Sequence, residues 1–146
     1  MSTEPPKYVA PDLSLFGDEH VARYEATDGE IGYLWNGATC LVLRATGRTT
    51  GQLRKFALIY TDRGDDFVLV ASKGGAPEHP GWYLNLVAEP DAEVQVKGDI
   101  IPVRARTADG AERSELWKLM AAQWPNYDEY TKRTDREIPV VVLERR

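Results

Sequence analysis

TCLVLRAT at Thr39–Thr46, GRTTGQ at Gly47–Gln52 and LRKFALIYT at Leu53–Thr61 form the stretch from which the fold is read. The first segment is almost continuously apolar and β-branched, the pattern of a strand covered on both faces. Glycines bound the turn that follows, and the third segment returns as a second strand. Asp62-Arg63-Gly64-Asp65 makes another turn before FVLVAS at Phe67–Ser72. Three strands joined by short turns predict an antiparallel meander.

Outward from this meander, Leu13–Thr27 reads as a short helix, and residues 1–12, with Pro5, Pro6 and Pro11, as a loose arm. After Ser72, Lys73-Gly74-Gly75 and Pro77 form a loop, and His79-Pro80 opens a helix that Glu89-Pro90 stops. Ala92–Val96 and Ile100–Arg106 alternate around a turn at Lys97-Gly98-Asp99, a second hairpin. Asp109 and Glu112 have the spacing of a capping box at the head of a helix running to Gln123. Pro125 restarts a helix around Tyr127–Lys132, and Ile138–Leu143 is a last strand. Six strands with inserted helices predict a small barrel in an α+β, mainly β, chain: an arm and helix over 1–30 and one barrel domain over 31–146.

The chain has 146 residues, a net charge of −5, and 42% hydrophobic and 28% charged residues, a composition that fits one globular domain. Its acidity excludes nucleic acid as a main partner. No apolar run reaches the roughly 20 residues of a membrane span, so no membrane insertion is expected. Without an export pattern at the N-terminus, and with Cys40 as the one cysteine, the expected location is the cytoplasm. Cys40 lies in an apolar strand and reads as a core thiol. His20 and His79 have no partners at metal-ligand spacing, so no metal site is expected. No nucleophile elbow, P-loop or dinucleotide fingerprint is present, which leaves an organic cofactor to carry any reaction.

Charge is distributed unevenly. Ile31–Thr61 contains 31 residues without Asp or Glu but with Arg44, Arg48, Arg54 and Lys55, so it carries +4 and the rest of the chain −9. A glycine- and threonine-bounded turn inside an acid-free segment suggests a polyanionic small molecule held through phosphate or carboxylate groups. Lys73 beside Gly74 and Gly75 adds a second cationic, glycine-rich loop.

The order TGR-x-[ST]-G-Q-x-R, ASKGGA-x-x-x-P-x-WYLNL, Pro-x-Tyr-x-x-Tyr and TDR-x-IP resembles the deazaflavin-dependent nitroreductase family of actinobacteria, over roughly residues 38–146. The resemblance implies a split β-barrel of the FMN-binding type and the cofactor coenzyme F420, an 8-hydroxy-5-deazaflavin. It implies hydride transfer from the reduced coenzyme to a small electron-poor acceptor: an enone, a quinone or a nitroaromatic. Arg48, Thr49, Thr50, Gly51 and Arg54 match the motif that lies against the phosphate and oligoglutamyl tail. Ala71, Ser72, Lys73, Gly74, Gly75 and Ala76 match the loop along the cofactor. Trp82 reads equally as core or as cofactor wall, whereas Tyr83 and Leu86 read as packing. Trp124, Tyr127 and Tyr130 match the substrate side, where Tyr127, then Tyr130 and Ser72, are the candidate proton donors. Leu53 stands where the family commonly has proline, and Thr49 where it often has a basic residue. Related barrels often pair, which implies a possible homodimer. An FMN-dependent oxidoreductase on the same barrel, or a deazaflavin-binding protein without turnover, would use the same features.

Overall fold

The computed structural model describes residues 8–146; the reading of Pro5 and Pro6 as part of a loose arm falls outside them. Helix α1 is Gly17–Ala26, followed by strands β1 (Leu34–Trp35), β2 (Ala38–Thr46), β3 (Leu53–Ile59), β4 (Thr61–Arg63) and β5 (Asp66–Val70). A 3-10 turn at Lys73–Gly75 leads to α2 (Gly81–Ala88), β6 (Asp91–Val96), β7 (Asp99–Thr107), α3 (Gly110–Gln123), α4 (Asn126–Tyr130), a 3-10 turn at Thr131–Arg133 and β8 (Val140–Arg145).

The strands run in the order β1-β2-β6-β7-β8-β5-β4, with β3 also paired to β2. Every pairing is antiparallel. Only Tyr60 separates β3, which pairs with β2, from β4, which pairs with β5 at the far end of this order. One bent strand thus closes the sheet into a barrel. The expected meander is corrected at this point: the second strand changes partner at Tyr60, and with β1 and β4 separate there are eight strands instead of six. Gln123, at the end of α3, secures the break. Its Nε2 donates to Tyr60 O and, at 2.8 Å, to Thr61 Oγ1, while its Oε1 accepts from Thr39 N at 3.2 Å.

Alternation along the strands explains their unbroken apolar character. Leu41, Leu43, Phe67, Leu69, Val141 and Leu143 fill one core inside the barrel. Their neighbours Val68, Val70, Val140 and Val142 pack outward against Leu116, Met120 and the α4 aromatics. Val42 packs under Val21 and Tyr24 of α1. Both faces are covered, so both alternating sets are hydrophobic. The capping box is not made: Asp109 gives no side-chain cap, and Glu112 pairs instead with Arg106 and Arg63. Within α3, Leu116 and Met120 are buried while Leu119 is 38% exposed.

Candidate functional site

A cleft of about 620 Å³ opens between the N-terminal segment, α1, β3, the loop after β5 and the aromatics of α3–α4. It collects Ser72, Lys73, Gly74, Trp82, Trp124, Tyr127 and Tyr130. These seven residues are spread over 59 positions of the chain.

The loop after β5 is held in an unusual backbone form. Lys73, Gly74 and Gly75 have φ of 46°, 63° and 82°, three consecutive left-handed residues. Two are glycines, for which this costs nothing, whereas at Lys73 it is a strained geometry of the kind found at ligand sites. A Cβ at Gly75 would lie 2.7 Å from Tyr130 O, so the loop packs directly on α4. A Cβ at Gly74 would meet nothing within 4 Å, so the backbone there is open to a ligand.

Arg136 ties this loop together from the TDR-x-IP segment. Its Nε donates to Ala76 O at 2.9 Å, its Nη2 to Ser72 O at 2.7 Å, and its Nη1 to Ala71 O at 3.3 Å and His79 Nδ1 at 3.0 Å. A planar guanidinium is the side chain suited to reaching several carbonyls at once. Because a guanidinium only donates, His79 accepts at Nδ1 and is neutral there. Burial and the Arg136 charge together hold the His79 pKa below its usual value. Arg136 had no assigned role in the sequence, although its motif was visible. Ala71, Gly75 and Ala76 belong to the loop but do not line the cleft.

A row of aromatic rings forms one wall. His20 stacks on Trp35 at 6.2 Å, Trp35 meets Trp124 at 5.6 Å, and Tyr127 meets Tyr130 edge-on at 6.1 Å. The indole Nε1–H of Trp124 points to Tyr130 Oη at 3.5 Å. His20 Nε2 donates to Gly32 O at 2.8 Å, which fixes its ring. Tyr127 and Tyr130 are buried, as is Trp82. Burial pushes the Tyr127 pKa far above the ordinary phenol value, so its hydroxyl stays protonated at any working pH. Cys40 also borders the cleft, and burial raises its thiol pKa to about 12, so it remains an unreactive thiol. Sequence reasoning missed Tyr8, Phe16, His20 and Trp35. The Asn36-Gly37 pair, a strong hairpin signal, could have placed Trp35 beside a turn.

Arg48, Thr49, Thr50, Gly51 and Arg54 stand beside the cleft and do not line it. They form the β2–β3 turn, closed by Gly47 N donating to Gln52 O and Gly51 N to Gly47 O, both at 2.8 Å. Arg48 Nη1 donates to Asn85 Oδ1 at 2.8 Å and to Gly81 O at 3.2 Å, so the turn abuts α2 next to Trp82. Arg54 makes no ion pair or hydrogen bond among the described residues. The acid-free segment is less isolated in space than in sequence. Glu25 lies 2.8 Å from Lys55 and 3.6 Å from Arg44, and Glu93 lies 3.2 Å from Arg44. Lys73 lies 2.8 Å from Glu78, an exposed pair that salt or a stronger anion can displace.

Comparison with known proteins places this geometry. Residues 17–145 match the model of the F420H(2)-dependent quinone reductases. The chain belongs to that family. A F420H(2)-dependent quinone reductase of Mycobacterium tuberculosis is 43% identical over 131 residues, 87% of this chain and 88% of its own. A second M. tuberculosis relative, a putative F420H(2)-dependent quinone reductase, is 35% identical over 106 residues, 73% of this chain and 89% of its own. Among solved structures, the F420-H2 dependent reductase FDR-A is 39% identical with a TM-score of 0.67, covering 72% of this chain and 93% of its own. A domain-swapped dimer is 35% identical with a TM-score of 0.71, covering 86% and 92%. A putative pyridoxamine 5'-phosphate oxidase of Listeria innocua, 9% identical with a TM-score of 0.52, shares the split-barrel fold alone.

As a member of the F420H(2)-dependent quinone reductases, the chain is a reductase that uses coenzyme F420. Its residues fit that group. The cleft joins an aromatic wall, whose ring faces and edges suit a ring system, to the open backbone at Gly74 and to Lys73, suited to an anion. No helix among the described residues is long and apolar enough to cross a membrane.

Proposed function

We propose that the cleft holds the coenzyme and a planar, electron-poor acceptor together, with a quinone as the leading acceptor class and enones and nitroaromatics as others. The observation that carries this is the joining of the Ser72–Gly74 loop to the Trp124–Tyr127–Tyr130 wall in one cavity. Gly75 packed on Tyr130 O fixes the register between those two parts. Bound there, the reduced deazaflavin supplies a hydride. Everything else falls to the protein: holding two rings in contact, which is worth up to roughly 7–11 kcal/mol of barrier, and supplying a proton.

Ser72, Gly74 and Trp82 hold the ring, with Ala71, Gly75 and Ala76 shaping the loop behind them, and Arg54, Lys73 and Arg48 take the phosphate and carboxylates of the tail through charge-assisted hydrogen bonds. Arg54, free of partners among the described residues, is the one ready to accept an anion without giving up a bond. Trp124 and Tyr130 orient the acceptor. Tyr127, Tyr130 and Ser72 line the same cavity, and Tyr127 Oη is the leading donor of the proton to the reduced acceptor oxygen. Its raised pKa keeps the proton in place until charge develops on that oxygen.

The test is equilibrium binding of oxidised F420 and of FMN, followed by reduction of menadione and cyclohexenone. Preference for F420 that weakens with salt supports the reading; equal affinity for FMN contradicts it. One solved relative is a domain-swapped dimer, which supports a homodimer here, and light scattering of the purified chain would show it.

A further inference from the structure

Residues 8–15 border the cleft without joining the sheet. Among the described residues they make no main-chain hydrogen bond to another segment. Side chains hold them instead: Trp35 Nε1 donates to Leu15 O at 2.6 Å, and two carboxamides clasp Val9 and Asp12. Asn126 Oδ1 accepts from Val9 N at 2.9 Å, and Asn126 Nδ2 donates to Val9 O at 2.7 Å. Asn36 treats Asp12 in the same way, with Oδ1 accepting from Asp12 N at 2.8 Å and Nδ2 donating to Asp12 O at 3.0 Å. Each side chain reproduces the two-bond exchange between paired residues of an antiparallel ladder. Only an amide carries the required donor and acceptor side by side.

The clasped residues are not the ones that line the cleft. Val9 and Asp12 are held, while Tyr8, Ala10, Pro11 and Leu13 form the lining. Tyr8 is fixed further by the Arg133 guanidinium 4.3 Å over its ring and by Tyr130 at 6.0 Å. The two asparagines sit directly beside wall residues, Asn126 before Tyr127 and Asn36 after Trp35. Asn36 has φ +50° in a two-residue turn with Gly37, between the paired Trp35 and Ala38.

We propose that Asn36 and Asn126 are specificity-determining residues: their clasps fix residues 8–13 as one wall of the cleft, and Tyr8 and Leu13 thereby limit the size of the acceptor admitted. This rests on the reading of the cleft as the shared site of coenzyme and acceptor. A wall built into a sheet would survive the loss of any one side chain. This wall hangs on side chains alone: the two clasps, the Trp35 Nε1 bond to Leu15 O, and the Arg133 contact with Tyr8.

Two single variants of the full chain test it. Asn36→Gly removes one clasp and tolerates the left-handed backbone. Asn126→Asp keeps size and acceptor but turns a second oxygen toward Val9 O. Hydrogen exchange of the 8–16 peptide, measured without any ligand, should rise roughly ten- to a hundredfold in each, as expected for two lost hydrogen bonds in Asn36→Gly and for one lost bond plus an oxygen–oxygen repulsion in Asn126→Asp. In steady-state assays with the reduced coenzyme, the KM of a bulky ring-substituted quinone should fall about tenfold relative to that of menadione. The proposal is overturned if the wild-type peptide already exchanges like free chain, or if exchange rises and the KM ratio does not move. Circular dichroism checks folding, and the Asn36→Gly result stands alone if Asn126→Asp unfolds. Failure of wild-type protein to bind oxidised F420 would instead overturn the site reading and leave the exchange result to judge the clasps.

Discussion

Replacing Arg136 by alanine removes the side chain that gathers the cofactor loop. Three main-chain carbonyls and one imidazole lose their donor. Ala71 is fully buried and Ser72 nearly so, and their carbonyls would be left facing a cavity; Ala76 O can turn to water. A charge-assisted hydrogen bond is worth roughly 1.5–3 kcal/mol. Counting the two buried carbonyls at the lower figure, because water will enter part of the space, gives a loss of about 3 kcal/mol. For a chain of this size that lowers the melting temperature by about 6–12 °C. Affinity for oxidised F420 should fall by about tenfold, since ordering the loop becomes a cost of binding. Arg136→Lys should fall between the two proteins, because an ammonium cannot span the carbonyls the fork reaches. Thermal melts and fluorescence titration with the coenzyme measure both effects. Wild-type melting and wild-type affinity in Arg136→Ala would refute the idea that this guanidinium shapes the loop.

Other outcomes follow from the same contacts. His79 titrates below its usual value when folded, so as pH falls the unfolded chain takes up that proton first. Its contribution to stability is complete above about pH 6.5 and shrinks from there down to the folded value; His79→Gln should flatten this part of a melting-temperature profile against pH. Arg54→Ala should weaken coenzyme binding by about 1–3 kcal/mol while the melting temperature stays at the wild-type value, whereas Arg48→Ala, which also loses the Asn85 and Gly81 contacts, should lower both. Gln123→Leu should destabilise the chain by about 2–3 kcal/mol in urea titrations, because Tyr60 and Thr61 lose their shared partner where the barrel closes. Tyr127→Phe should leave coenzyme affinity intact and lower turnover by roughly a hundredfold, less if water substitutes; unchanged turnover would return Tyr127 to packing.

The strands were legible where burial on both faces made them continuously apolar, as at Thr39–Thr46 and Ile138–Leu143, and the helices where proline or glycine bounded them. The change of partner at Tyr60 was not, because Leu53–Thr61 reads as one strand and the break depends on Gln123, 63 residues away. The capping box failed because Arg106, six residues before Glu112 and near the end of β7, competes for that carboxylate. The cationic segment overstated its isolation, because Glu25 and Glu93 return to it only after folding. Within the site, the motif-bearing residues Ser72, Lys73, Gly74, Trp82, Trp124, Tyr127 and Tyr130 do meet. His20 and the clasps on the arm were invisible because nothing local marks them, and Trp35 was marked only by the Asn36-Gly37 turn beside it. Their roles come from contacts such as Val9 with Asn126, 117 residues apart.

The most direct test of the central claim is a single-turnover experiment under anaerobic conditions. Reduced F420, deuterated at the ring carbon that gives up the hydride, would be mixed with excess enzyme and menadione, and the oxidised coenzyme followed as it appears. Saturation with enzyme, a primary isotope effect and a slower rate in Tyr127→Phe are the predicted results. A rate equal to that without protein, or equal turnover with reduced FMN in its place, would contradict the account.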